Sequence, residues 1–176
     1  MPELHRIKSL TDPWYERFQN IYSASFPLFE QRNEEQQEYA LGYDHYYLEC
    51  GIENQTILYF VAYWDYKDYI YIEHFAVNPD CRGLNIGTVA LQNMVREKKK
   101  LILLEIDPLN TELALKRYRF YRKLGFVEND YPHFHPPYDH RFPAHELLVL
   151  SLEKPLEKSL YEKFYRDLCD EIMKIS

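Results

Sequence analysis

Residues 73–88 read E-H-F-A-V-N-P-D-C-R-G-L-N-I-G-T, and the fold is decided there. Upstream, residues 69–77 are apolar and aromatic, with the residue types that suit a pleated, half-buried strand. Asn78-Pro79-Asp80 ends that run, because a proline cannot donate to a strand ladder. A short turn follows, Arg82-Gly83-Leu84-Asn85-Ile86-Gly87, and then Thr88, Val89, Ala90, Leu91, Met94 and Val95 recur at helical spacing. The order is therefore strand, turn, helix. The first N–H groups of such a helix lack an intrahelical partner, and its dipole adds positive potential among them. A phosphate or pyrophosphate is the anion this arrangement suits. The spacing differs from the G-x-G-x-x-G loop of dinucleotide-binding folds. It also differs from the nucleotide-binding loop G-x-x-x-x-G-K-[ST], since Gly83 and Gly87 stand four apart and Thr88 follows with no lysine.

Working outward, residues 46–52 and 56–64 are further extended segments, joined by Glu53-Asn54-Gln55 and followed by the polar turn 65–68, so an antiparallel meander is expected. Residues 4–10 are a candidate first strand. Trp14, Phe18, Ile21, Tyr22 and Phe26 predict a helix that Pro27 ends, and 30–39 predicts a charged surface helix. Beyond the turn, a helix is expected over 87–99, a buried strand over 101–106, and a helix over 113–124 with Leu113, Phe120 and Leu124 along one side. Final strands are expected over 126–128 and 145–152, with a polar-aromatic loop over 129–144 between them. In the tail, 155–176, Leu156, Leu160, Phe164, Leu168 and Ile172 recur every four residues, which predicts an amphipathic helix. Two readings of that helix stand: packing on its own domain, or a homodimer contact.

The chain of 176 residues suits one domain over 1–176, and 46% hydrophobic content with 17 Tyr and 10 Phe supplies a core. A net charge of -7 disfavours nucleic acid and anionic membranes as generic partners and suits a cationic acceptor. No window has the length and apolarity of a membrane span, and the N-terminus carries no signal-peptide core. Three widely spaced cysteines read as free thiols in a reducing compartment, so a cytoplasmic protein is expected.

Val77-Asn78-Pro79 followed by Arg82-Gly83-Leu84-Asn85-Ile86-Gly87 resembles the pyrophosphate arm of the GNAT superfamily of acetyl-CoA-dependent N-acyltransferases, [QR]-x-x-G-x-[GA] after a strand ending V-x-P. Asn85 stands where that family usually has glycine, and asparagine is the residue that best tolerates a left-handed backbone after glycine. Some thirty residues on, Phe120-Tyr121-Arg122-Lys123-Leu124-Gly125-Phe126 is similar to the family segment (L/F)-Y-x-x-x-G-F, with Gly125 placed as a helix C-cap. The two matches together cover about a third of the chain. The resemblance implies an α/β (α+β) fold: a mixed, mostly antiparallel central sheet with splayed parallel strands, helices on both faces, and here an extra C-terminal helix.

The resemblance also implies a reaction, direct attack of a primary amine of a small molecule or peptide on acetyl-CoA, and roles for residues. Arg82, Gly83, Leu84, Asn85, Ile86, Gly87 and Thr88 would hold the pyrophosphate, Phe75 and Val77 would lend backbone groups to the thioester arm, and Asn110 would lie near the pantetheine. Tyr121 occupies the position that in many members faces the CoA sulfur, where a neutral phenol can give the leaving thiolate a proton. Glu73, four before Val77, matches the acidic position of polyamine and aminoglycoside acetyltransferases and is the candidate base, with His74 as the second choice. Strand alternation puts Glu73, Phe75 and Val77 on one side and His74 on the other, unless a bulge changes the parity. His133, His135, His140 and Asp139 are zinc-compatible residue types, but two prolines stiffen the loop and the family chemistry needs no metal. No metal is expected, and the loop reads as a border of the acceptor pocket. The alternative to an enzyme is a CoA-binding sensor or interaction module that keeps the cofactor turn and has lost transfer.

Overall fold

A computed structural model describes residues 1–174. The chain forms two compact units, Met1–Lys100 and Leu101–Ser176. Among the described residues no helix is long and apolar enough to cross a membrane.

The first unit is built on four antiparallel strands in the order β1-β2-β3-β4: β1 (Glu3–Ile7), β2 (Tyr46–Glu53), β3 (Thr56–Asp65) and β4 (Ile70–Val77). The meander expected from the sequence is present. β1 stops at Ile7, short of residue 10. Alternation along β3 sorts its side chains onto two layers. Phe60 meets α1 (Tyr15–Ser25) edge-on, its ring 4.8 Å from that of Phe18, while Tyr59, Val61 and Tyr63 look toward α3 (Ile86–Lys98). The expected helix over 30–39 divides: a single 3-10 turn, Leu28–Glu30, precedes α2 (Glu34–Leu41). Asn33 makes the break, since its side chain accepts from the Gln36 N–H and Gln36 reaches back to the Asn33 N–H, a reciprocal cap that starts α2 four residues late.

The ladder between β3 and β4 is interrupted once. Ala62 opposes His74 and Tyr63 opposes Ile72, so Glu73 is the extra residue of a β-bulge. A second irregularity sits at Gly51/Ile52 in β2, where the Tyr59 ring lies over Gly51. A Cβ at Gly51 would fall 2.2 Å from Cε1 of that ring.

The second unit has three antiparallel strands in the order β5-β9-β6: β5 (Ile102–Ile106), β9 (Leu148–Leu152) and β6 (Phe126–Asn129). The expected strand over 145–152 splits, because His145–Glu146 (β8) pairs with Phe134–His135 (β7) as a separate ribbon. The α4 helix (Glu112–Lys123) opens on Thr111, whose side chain accepts from the Ala114 N–H, and closes at Gly125, φ +97°, as its C-cap position requires. Ala114 is the residue α4 buries, whereas Leu113, expected on the apolar side, is 56% exposed. Leu113 stands about 100° around the helix from the buried Ala114, on the open side.

The tail forms α5 (Lys158–Asp167), extended by a π-helical turn, Leu168–Ile172, and the last two residues of the expected helix lie outside the described ones. Phe164, Leu168 and Ile172 are fully buried, and the Tyr161 ring stacks on Tyr131 at 4.2 Å within the same unit. Packing on its own unit accounts for the apolar side of this helix.

Gly51→Ala is expected to lower unfolding stability by about 1–3 kcal/mol in urea, since Tyr59 must leave its rotamer. The double replacement Gly51→Ala with Tyr59→Leu should recover part of that loss; equal loss in both would show that the ring contact is not the cause.

Candidate functional site

The turn between β4 and α3 has the predicted form. Gly83 and Asn85 both take left-handed backbone, φ +85° and +59°, and Asn85 is the N-cap residue of α3. Asparagine thus serves where glycine was the expected residue. The amides of Arg82, Gly83, Leu84, Asn85, Ile86, Gly87 and Thr88 have no hydrogen-bond acceptor among the described residues; the first helical bond of α3 is Val89 N–H to Asn85 O. No acidic side chain stands in the first turn to compensate them. Arg82 is exposed beside them. Consecutive free donors at the start of a 13-residue helix are the arrangement that suits a phosphate-like anion.

Glu73 lies in the same unit, and its surroundings are unlike those of an open base. Its side chain has no exposed surface. Arg32 grips both oxygens, Nε to Oε2 at 2.8 Å and Nη2 to Oε1 at 3.0 Å, and Trp64 Nε1–H donates to Oε1 at 2.8 Å. Burial by itself would raise its pKa. The Arg32 charge, His74 and the hydrogen bonds from Arg32 and Trp64 override burial and hold the carboxyl at about 2. Arg32 carried no signal in the sequence, being one arginine in the stretch 30–39 that reads as a charged surface helix.

The simple alternation that set His74 opposite Glu73 does not hold. The bulge turns both side chains to the layer of α1 and α2, with His74 Nδ1 3.5 Å from Glu73 Oε2. His74 Nε2–H donates to the Glu30 carbonyl at 2.8 Å, and its ring meets those of Tyr22 and Phe26 edge-on. Tyr22 in turn accepts from the Arg32 N–H at 2.8 Å. Segment 28–33 is therefore pinned onto β4 by one ion pair and the His74–Glu30 hydrogen bond, and onto α1 by the hydrogen bond to Tyr22. Phe75 points its side chain to the opposite, α3 layer, and Val77 ends the strand half-buried.

Tyr121, on α4 in the second unit, is half-buried, with its ring edge-on to Phe126 at 5.6 Å. Burial pushes its pKa up to about 12, against a smaller lowering by Arg117. Its hydroxyl has no hydrogen-bond partner among the described residues. Asn110 is exposed, and its N–H closes a turn onto the Pro108 carbonyl at 2.8 Å. The histidine loop is occupied internally. His133 places Nε2 2.5 Å from Glu105 Oε2 and Nδ1 2.8 Å from the Tyr161 hydroxyl, so β5, the loop and α5 share one hydrogen-bond chain. His135 Nδ1 donates to the Pro136 carbonyl at 2.7 Å, and Asp139 is gripped at both oxygens by Arg141. These ligand atoms hold the loop's own shape.

The family model for the acetyltransferase (GNAT) family matches residues 12–126, well over half of the chain and spanning both the β4–α3 turn and the end of α4. The chain belongs to that family, whose members are acyltransferases. Among solved structures it is similar to a GNAT-family protein from Bacteroides thetaiotaomicron, at 23% identity and a TM-score of 0.88 over 99% of each chain. It is also similar to the ribosomal-protein-S18-alanine N-acetyltransferase from Escherichia coli, with 17% identity, 89% of this chain and 96% of that one, and a TM-score of 0.61. An aminoglycoside 6'-N-acetyltransferase solved with coenzyme A gives 14% identity, 89% and 99% coverage, and a TM-score of 0.59. These likenesses show that the fold, α/β with a mostly antiparallel sheet, is the one the sequence motifs implied. No curated protein sequence matches the chain.

Two measurements test the buried pair. Arg32→Met leaves a carboxylate sealed without its partner and should cost about 3–5 kcal/mol of unfolding free energy, with far less lost when Glu73→Leu is added. The pair's contribution should be complete above the ordinary carboxyl value of 4.5 and fade as pH falls toward 2, by about 3 kcal/mol in all. A wild-type unfolding curve that lost no more than the Glu73→Gln curve over that pH range would contradict this.

Proposed function

We propose that the protein is an acetyl-CoA-dependent N-acetyltransferase acting by direct attack on a primary amine of a small molecule or peptide. The observation that carries this reading is the row of free amides over residues 82–88 at the positive end of α3. It supports a phosphate-tailed cosubstrate, and family membership supports the transfer. Two of the similar structures are named for their acceptors, a ribosomal-protein alanine and an aminoglycoside. A chain of net charge -7 offers such cationic acceptors a favourable field.

The amine nitrogen forms the new bond to the acyl carbon, the carbon–sulfur bond breaks, and the amine proton must leave before attack. An ordinary alkylammonium, with a pKa near ~10.4, needs about 4–5 kcal/mol to shed that proton at pH 7. Glu73 at about 2 is a poor receiver, because both its oxygens already accept from Arg32 and Trp64. We therefore assign Glu73 a positioning role, in which it holds Arg32 and with it segment 28–33 over β4, and assign deprotonation to water. Tyr121, at about 12, is a weaker acid than an ordinary thiol near ~8.5. It stabilises the leaving thiolate by a hydrogen bond rather than by complete proton transfer, which suits its free hydroxyl. Phe75 and Val77 offer backbone groups to the thioester arm, and Asn110 is the weakest of the cofactor assignments, since it serves a turn.

One observation favours the second reading, a CoA-binding sensor that does not transfer: the sealed state of Glu73 leaves no free carboxylate at the expected base position. Thiol release from acetyl-CoA against a panel of polyamines, aminoglycosides and peptide N-termini decides between them. Turnover on any amine supports the transferase. CoA binding by calorimetry with no turnover on any of them supports the sensor.

Tyr121→Phe should lower kcat about tenfold or more while CoA affinity stays within about twofold. Unchanged kcat would remove Tyr121 from the reaction. Asn85→Val, which cannot hold φ +59° without strain, should weaken CoA binding, and Asn85→Gly should preserve it.

A further inference from the structure

On the α3 side of the first unit a cavity of about 150 Å³ opens between the helix and the sheet. Apolar cavities of about that size hold a benzene ring. Tyr59, Val61 and Phe75 form its floor, and Leu91 and Met94 its roof. The turn of residues 82–88 precedes α3, whereas Met94, Glu97 and Lys98 place this cavity toward the other end of the helix. It also lies on the opposite layer of β4 from Glu73, Arg32 and His74.

The cavity is built rather than incidental. Gly51, fully buried, exists as glycine because the Tyr59 ring lies on it, and that contact fixes one wall. Tyr63 is fixed by donating its hydroxyl to Glu49 and by stacking on Tyr47, ring planes 6° apart with centroids at 5.1 Å. Three aromatic rings thus face a space with two carboxylates, Glu49 and Glu97, in its lining. Both carboxylates act on Tyr59: burial first, then Glu49 and Glu97, raise its pKa. Lys98 and the amino group of Met1, which also lines the space, are the cations beside them. The Lys98 ammonium lies 5.2 Å from the Tyr63 centroid and 5.4 Å from that of Tyr47, and among the described residues it has no carboxylate within ion-pair distance. An alkylammonium on a flexible stem already rests on these ring faces, where a cation meets the negative side of an aromatic ring.

We propose that this cavity is a second ligand site, apart from the acceptor and cofactor sites, that takes a small organic cation with an apolar body. The body enters between α3 and the sheet, the cationic end meets Glu49, Glu97 and the tyrosine faces, and Lys98 swings into solvent to admit it. The negative faces of the tyrosine rings make an anion of the same shape unwelcome.

The test uses the full chain labelled with ¹³C at methionine methyls. Met94 lines the cavity, and Met173, in the second unit, serves as an internal control. Benzyltrimethylammonium is the probe, because a quaternary nitrogen has no hydrogen to exchange for an acyl group and cannot act as acceptor. Saturable movement of the Met94 resonance with Met173 unmoved, undiminished by excess CoA, is the expected result. Glu97→Gln, at an exposed position, and Glu49→Gln should each weaken binding by about threefold or more, and Lys98→Ala should tighten it. Benzoate should leave Met94 unmoved. No movement of Met94 overturns the site. Equal binding of benzyl alcohol, or affinities that Glu97→Gln and Lys98→Ala leave unchanged, overturns its cationic character.

Discussion

The arrangement of the first unit depends on one buried ion pair, Arg32 with Glu73. A carboxylate and a guanidinium taken out of water together are tolerable only when every polar atom finds a partner. Here the carboxylate accepts from two arginine nitrogens and an indole N–H, and the Arg32 backbone N–H gives to Tyr22. The bulge in β4 makes this possible. By adding one residue to the strand it turns Glu73 toward α1 and α2, where a regular ladder would have set it beside Phe75. A segment that would otherwise be a loose connection between two helices is thereby held at a defined height over the strand.

The two polar ends of the proposed site obey opposite rules. Around residues 82–88 the backbone donors have no acceptor among the described residues, and Gly83 and Asn85 carry the turn through left-handed backbone. Around Glu73 every group is paired and dry, and the carboxyl is held ionised at neutral pH. An open row of donors is an invitation to a ligand, while a closed carboxylate is a strut. This difference, more than residue type, separates the binding role from the positioning role. Tyr121 stands between these cases, with its ring packed and its hydroxyl free.

The same reasoning applies to the histidine loop and the tail. His133 reads in isolation as a metal ligand or a catalytic residue, yet both its nitrogens are engaged, by Glu105 from β5 and Tyr161 from α5. It works as a joint that ties the loop and the C-terminal helix to the second sheet. The apolar side of α5 closes over that joint through Phe164, which lies against the His133 ring.

Local sterics were legible in the sequence. The strand–turn–helix at 69–98, the left-handed asparagine at 85, the glycine cap at 125 and the amphipathic tail each follow from residues a few positions apart, so a linear reading reaches them. Partners across the fold were not legible. Which way Glu73 points is set by the register between β3 and β4. That Arg32 meets it is set by where α2 begins, and that Gly51 must be glycine is set by a tyrosine eight residues away across a hairpin. Each is decided by pairing between segments, and burial then converts the pairing into chemistry by removing the water that would have made these residues ordinary.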